Sequence, residues 1–421
     1  MAEHRKKLAG NFISLSLVQG LSILFPIITF PYLIRVLGVE NFGVFTLIQT
    51  FLMYFDLLVS FGFGLTATQH ISRNINDKHR TGQVIATVYI IKFVLFVFSL
   101  LVFLTCCIFI AYLRENIVIV LISTLYLLGN LLFPDWYFQG IQKMRNITVV
   151  AFISKLISLS LIILLVKNRA DIVYAVLAMS AGNFIAGIVG FAILARLVSI
   201  KEISMPSKED IISSFKESGY VFTSIMLAPL YSSVNLFILQ AFTNPLMVGY
   251  YAISEKIFSA LGMLTSIANR TFYPHLAQLY ETSITAYKRN VRSIIKLFIG
   301  GFILLAVIQF FASEYIVKLL AGKKAIDDIP YAVSIMQIMC IGLVFSPYAS
   351  FFFQLLILQG QKKECVRNII IAIVVNLGTA CFFAYFYSAR GMAINACIII
   401  FLVGLLNFIS FNKKMQRLSQ P

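Results

Sequence analysis

Long, solid apolar runs that keep recurring limit this chain's fold more than any other feature. Val94–Ile110 is one of them: only Ser99, Thr105, Cys106 and Cys107 are neither aliphatic nor aromatic. A hydrocarbon layer about 30 Å thick needs about 20 apolar residues per crossing helix. Strands of a membrane barrel alternate apolar and polar residues instead, and these runs do not alternate. We read spans at 11–35, 42–66, 83–111, 117–139, 148–166, 172–196, 218–240, 246–272, 293–312, 331–358, 368–388 and 391–411. Composition agrees, with 60% hydrophobic and 12% charged residues where soluble domains carry about 25% charged ones. The expected class is an all-α integral membrane protein with about 12 transmembrane helices.

The first run, Phe12–Ile34, is longer than the 7–15 residues of a signal peptide's apolar region and has no small-residue cleavage site after it. It is expected to remain as a membrane helix. The net charge of +17 follows from Lys and Arg beside helix ends and does not require nucleic acid. Counted over alternate connections, one side holds 21 Lys and Arg and the other 8. By the positive-inside rule both termini are expected in the cytoplasm. The loops expected outside are short, and the longest, about Ser313–Pro330, is too small for a catalytic domain.

Two segments repeat. Phe138-Gln-Gly-Ile-Gln-Lys-Met-Arg-Asn146 at the end of the fourth span resembles Leu358-Gln-Gly-Gln-Lys-Lys-Glu-Cys-Val-Arg-Asn368 at the end of the tenth. Asn41-Phe-Gly-Val-Phe-Thr likewise resembles Met247-Val-Gly-Tyr-Tyr-Ala. Six spans followed by six in the same orientation imply two parallel six-helix bundles around a central cavity, the arrangement of repeat-built transporters. The expected division is 1–198, an N-terminal bundle; 199–217, a cytoplasmic linker; 218–412, a C-terminal bundle; and 413–421, a cytoplasmic tail.

A charge at mid-membrane costs at least about 2.5–3.5 kcal/mol on insertion scales, so charged residues inside spans carry more information than apolar ones. Asp56 shares a helical face with Gln49, Met53 and Ser60. Glu255, Ser259, Gly262, Ser266 and Asn269 form a second stripe, with Lys256 and Arg270 beside it. Helix packing is the better account of Ser259, Gly262 and Ser266, and a polar cavity the better account of Glu255, Lys256, Asp56 and Arg270. Lys92 and Lys155 lie about two turns inside their spans, where they can line a cavity or snorkel to headgroups. Arg35 and Lys296 lie near helix ends, and Asp135-Trp136-Tyr137 falls where an aromatic belt is expected. Pro26, Pro31 and Pro229 are expected kinks. The reading assigns Lys256, Arg270, Arg35, Lys92, Lys155 and Asn269 to a substrate cavity, and Glu255 and Asp56 to ion coupling. His70, His79 and His275 are read as surface residues. No CxxC or Cys/His metal spacing occurs among the six cysteines, and GxxxxGK[ST], GxSxG and HExxH are absent. No catalytic residue and no metal are expected.

Three further motifs carry a family resemblance. Phe30-Pro-Tyr-Leu-Ile-Arg-Val-Leu-Gly38 with Glu40-Asn-Phe-Gly43, Gly62-Phe-Gly-Leu-Thr-Ala-Thr-Gln69, and Phe138-Gln-Gly140 resemble bacterial O-antigen flippases of the Wzx type. These are polysaccharide transporters of the multidrug/oligosaccharidyl-lipid/polysaccharide exporter (MOP) superfamily. The resemblance runs the length of the chain and is clearer in its first half. It implies two six-helix bundles around a cavity in the bacterial inner membrane. It also implies a substrate, an O-antigen repeat unit on undecaprenyl pyrophosphate, moved from the cytoplasmic to the periplasmic leaflet. No cofactor is implied beyond proton or sodium coupling, and the implied partners are membrane lipid, an O-antigen polymerase and a chain-length regulator. Only Arg35 is a cation at a family motif position. The competing readings are a multidrug-type antiporter of the same fold, a membrane glycan polymerase or acyltransferase, and a non-transporting scaffold.

Overall fold

The computed structural model describes residues 2–109, 114–199, 202–325 and 328–417. Among these there is no strand. The described elements are α1 Ala2–Ser60, α2 Phe63–Arg73, α3 Lys78–Phe109, α4 Ile117–Leu132, α5 Asp135–Gly140, α6 Met144–Leu165, a 3₁₀ turn Arg169–Asp171, α7 Ile172–Leu197, α8 Lys208–Ser232, α9 Val234–Phe242, α10 Pro245–Thr282, α11 Ile284–Ala325, α12 Ile329–Leu358 and α13 Lys362–Arg417.

The longest helices are pairs of spans. At 1.5 Å per residue, the 59 residues of α1 would run about 90 Å if straight, three times the hydrocarbon thickness. The chain turns back at Gly38, whose φ of +78° suits a residue without Cβ. In α13 the turn falls at Ser388, with φ +54°. Among the described residues eight helical segments are long and apolar enough to cross a membrane, and the two at Leu24–Arg73 and Lys362–Gln416 are long enough for two crossings each. The expected seventh and eighth spans lack that apolar density. One is split into α8 and α9 three residues after Pro229, and the other, α10, carries the polar stripe. The all-α membrane class with about twelve spans is the class found.

Two compact units contain these helices: Met1–Gly38 with Phe45–Met226, and Val39–Val44 with Leu227–Pro421. In the first unit, small residues let helices meet at backbone distance. A Cβ on Gly129 would lie 2.5 Å from the Asn183 carbonyl oxygen, and one on Gly182 would lie 2.0 Å from Ser158 Oγ. An aromatic and aliphatic cluster that includes Phe63, Ile85, Val88, Trp136 and Phe138 joins α2, α3 and α5. In the second unit Tyr287, Phe298, Phe351, Phe352 and Phe411 form the corresponding cluster. Residues 39–44 belong to this second unit, where Gly43 meets the α10 backbone: a Cβ there would sit 2.1 Å from the Pro245 carbonyl oxygen and 2.7 Å from Gly249 N.

The stretch 199–217 is only partly a linker, because α8 begins at Lys208. Ser207 and Asp210 cap it reciprocally, Asp210 N–H donating to Ser207 Oγ and Ser207 N–H to Asp210 Oδ2, each at 3.1 Å. The Ser207 hydroxyl, donating to Asp210 Oδ2 at 2.7 Å, and then the Ser207 N–H hold the Asp210 carboxyl below its ordinary range. Lys78 Nζ donates to Glu202 at 2.7 Å and lowers that carboxyl in the same way.

The two repeated turns close alike but in a shifted register. Lys143 N–H donates to Phe138 O across a left-handed Gln142, and Gln361 N–H donates to Leu356 O across a left-handed Gly360. Gln142 therefore corresponds to Gly360. The shared Gln-Gly pairs are two residues out of step, since Gly140 lies inside α5 against Ile71.

Candidate functional site

In the first unit the break between α4 and α5 creates the most heavily charged interior site. Asn130 O would accept a helical bond from residue 134, but Pro134 has no N–H to give. Lys92 Nζ, on α3, supplies that bond at 2.6 Å. One turn earlier on the same face, Tyr89 OH donates to Leu132 O at 3.0 Å. The Asn130 side chain then points at α1, where its Nδ2 donates to Asp56 Oδ1 and, at 3.0 Å, to Ser60 Oγ. Past the break, Asp135 opens α5 and accepts from the Trp136 backbone N–H. Lys92 is 2% exposed and interacts electrostatically with both Asp56 and Asp135, but forms a direct ion pair with neither. Two carboxylates thus share one ammonium. A cleft of about 620 Å³, open mouth included, is lined by Ser60, Phe63, Lys92, Asp135, Trp136 and Phe222 among others. A more polar cleft of about 860 Å³ lies among α2, α3 and α8. It is lined by His70, Arg80, Gln83, Asp210 and Glu217, and His70 Nε2 meets Glu217 Oε2 at 2.8 Å.

In the second unit Glu255 lines a cleft of about 610 Å³ with Asn235, Tyr251, Phe258, Ser259 and Met339. Ser259 Oγ donates to Glu255 Oε1 at 2.8 Å. Behind this cleft runs a chain of amides. Asn395 Nδ2 donates to Asn376 Oδ1 at 2.7 Å, and Asn376 Nδ2 to Asn235 Oδ1 at 2.8 Å. All three are buried, at 0%, 0% and 2% exposure. Asn235 also bonds the side chain of Tyr251. These bonds join neutral amides without the desolvation cost of charges, while Asn395 Oδ1 finds no donor among the described residues.

The residues singled out in sequence do not converge on one point. Asp56 and Lys92 share the first unit's cluster. Lys155 lies over the Phe25 ring, 4.7 Å from its centroid, a cation–π contact. Arg35 is exposed on α1. Glu255 and Lys256, neighbours in sequence, come within 3.9 Å of each other. Asn269 Nδ2 donates to Ser350 Oγ at 2.7 Å, a helix-packing contact with α12. The Arg270 side chain lies outside the described residues. Of the expected kinks, Pro26 and Pro31 lie within α1. Among the described residues no group of His, Cys, Asp or Glu has the makings of a metal site, and the five described cysteines form no disulfide. Sequence reasoning missed Asn130, Asn235, Asn376 and Asn395. Each is a polar residue inside an apolar run, so the rule that picked out Asp56 would have found them had it been extended to amides.

Comparison with known proteins places this architecture. Two curated relatives, each described as a putative O-antigen transporter, align nearly end to end. The one from Escherichia coli (strain K12) is 28% identical over 394 residues, covering 90% of each chain. The one from Shigella dysenteriae is 29% identical over 395 residues, 91% of this chain and 95% of that one. Among solved structures, an inward-facing MATE family multidrug resistance transporter of the MOP superfamily superposes with a TM-score of 0.70 at 15% identity, covering 97% of this chain and 98% of the other. A MOP superfamily transporter from Pyrococcus furiosus gives 0.62 at 14% identity, with 99% and 97% covered. At such identities these structures speak for the fold. The family described as polysaccharide biosynthesis protein matches residues 8–280, about two thirds of the chain. The chain is a multi-pass membrane protein and belongs to the polysaccharide biosynthesis protein family.

Proposed function

We propose that this protein is a flippase that carries undecaprenyl-pyrophosphate-linked O-antigen repeat units from the cytoplasmic to the periplasmic leaflet of the bacterial inner membrane by alternating access. The observation that carries the reading is the near end-to-end similarity to two putative O-antigen transporters. The buried charged and amide clusters inside otherwise apolar helices are in keeping with it. An oligosaccharide hydroxyl costs roughly 2–7 kcal/mol if moved into hydrocarbon without a partner. Ten of them would raise a barrier of tens of kcal/mol, and polar side chains inside the bundles replace the lost bonds while the polyprenyl tail stays in lipid. Both termini are cytoplasmic on this reading. Lys256, Arg270, Arg35, Lys92 and Lys155 are the cations assigned to the substrate, with Asn269 beside them. Glu255 or Asp56 takes up the coupling proton or sodium ion. The polymerase and chain-length regulator are the partners that receive the flipped unit.

The test is surface O-antigen in a host that makes the matching repeat unit and lacks its own flippase. Restoration by the wild-type gene supports flipping, and its loss in normally expressed Lys256→Ala and Arg270→Ala variants supports the cation assignment. Restoration by both variants removes that assignment and keeps the flippase. No restoration by wild type points to a small-molecule antiporter or to an enzyme.

A further inference from the structure

We infer that the first unit's cleft at the α4–α5 break is a subsite for the uncharged saccharide part of the substrate, and not for its pyrophosphate. The inference rests on the flippase reading and says which part of the amphiphile this cleft takes.

Charge excludes phosphate first. Lys92 is the cleft's cation, yet Asp135 lines the same cleft and Asp56 lies one hydrogen bond away through Asn130. One amine among two acidic side chains, its Nζ already given to the Asn130 carbonyl, leaves an anion no excess of cations to bind. The same groups suit a polyol. A sugar hydroxyl both donates and accepts, so a carboxylate and an ammonium side by side serve adjacent hydroxyls, and Ser60 Oγ adds a group of either kind. Phe63, Trp136 and Phe222 give the cleft aromatic surface, which covers the apolar faces of a pyranose ring. Trp136 is 1% exposed, and its indole N–H finds no acceptor among the described residues, so a bound hydroxyl that reaches it adds a bond without displacing one. Pockets for small organic ligands run from about 300 to 1,000 Å³, and this cleft of about 620 Å³ falls inside that range. Leu65 and Ile225, both exposed, also line it. Polar groups and exposed apolar side chains in one cleft match a sugar head joined to a lipid.

The chain supplies its own reporter, because Trp136 is its one tryptophan. The experiment is intrinsic fluorescence of the full-length protein in nanodiscs, titrated with a panel of neutral saccharides (N-acetylglucosamine, its β1–4 disaccharide, galactose and rhamnose) and separately with inorganic pyrophosphate. The expected result is a saturable emission change with at least one saccharide and none with pyrophosphate. Asp135→Asn should weaken the saccharide response about tenfold, as expected for loss of a hydrogen bond to a charged group, while Glu314→Gln, at an exposed residue of the other unit that pairs with Lys318, should leave it unchanged. A response to pyrophosphate with silence to every saccharide overturns the inference, as does silence to all probes. An unchanged response in both Asp135→Asn and Asp135→Ala also overturns it. Restored O-antigen with a silent cleft removes the subsite and keeps the flippase. A saccharide response without O-antigen restoration keeps the cleft as a sugar site and removes the flippase.

Discussion

The two units hold clefts of nearly equal size and opposite construction. In the first, an ammonium and two carboxylates surround a break in a helix, and the lysine is held by a carbonyl that proline left unpaired. In the second, one carboxylate lines the cleft and a chain of three neutral amides runs back from Asn235 in its wall. The difference is one of electrostatic stakes. A buried ion cluster is costly to assemble and costlier to break, because removing one partner strands the others. An amide chain costs less to build, and a single deletion strands only neutral groups. The first cleft is therefore fixed by charge, and the second leaves its single carboxylate more freedom to gain or lose a cation.

Four variants sharpen or break that contrast. The largest effect is expected for Lys92→Met, which leaves Asp56 and Asp135 without their shared cation. It should destabilise the protein by about 3–5 kcal/mol, read as unfolding in detergent, and adding Asp56→Asn should recover part of the loss. A wild-type unfolding curve for Lys92→Met would mean that the cluster is not electrostatically coupled. Next is Asn376→Leu, which removes two neutral amide bonds at about 0.5–1.5 kcal/mol each, about 1–3 kcal/mol in all. A cost equal to that of Lys92→Met would erase the distinction between the units. Glu255→Gln should leave unfolding unchanged and cut flipping under an imposed pH gradient about tenfold, the range of general proton-transfer roles being larger still. An unaltered rate removes Glu255 from coupling. The smallest effect is expected for Ser259→Ala, which loses one neutral-to-carboxylate bond worth about 1.5–3 kcal/mol at most when buried. Glu255 and Ser259 are only partly buried, so less than a threefold change in rate is expected.

Most of the fold was legible because lipid imposes one rule, a continuous apolar helix per crossing. That rule found the spans of α3, α4, α6, α7, α11 and α12 directly. It was blind to the break at Pro134, because the apolar run continues across it, and so Asp135 was read as part of an interfacial belt and not as a wall of the cleft. The repeat was detected through Gln-Gly pairs, yet the turns correspond through their left-handed residues, Gln142 and Gly360. A sequence match records residue identity, while the turn is defined by backbone sign. Of the site, Asp56, Lys92 and Glu255 were visible because charges are scarce in membranes. Their amide partners were not, because asparagine is common enough to pass without remark.

The packing of Gly43 on Gly249 also carries a timetable. The turn after the first span finds its neighbour about 200 residues further along the chain. At about 5–20 residues per second of synthesis, residues 39–44 wait about 10–40 seconds before their place exists. During that interval residues 39–44 stand without the helix they pack on, until α10 arrives.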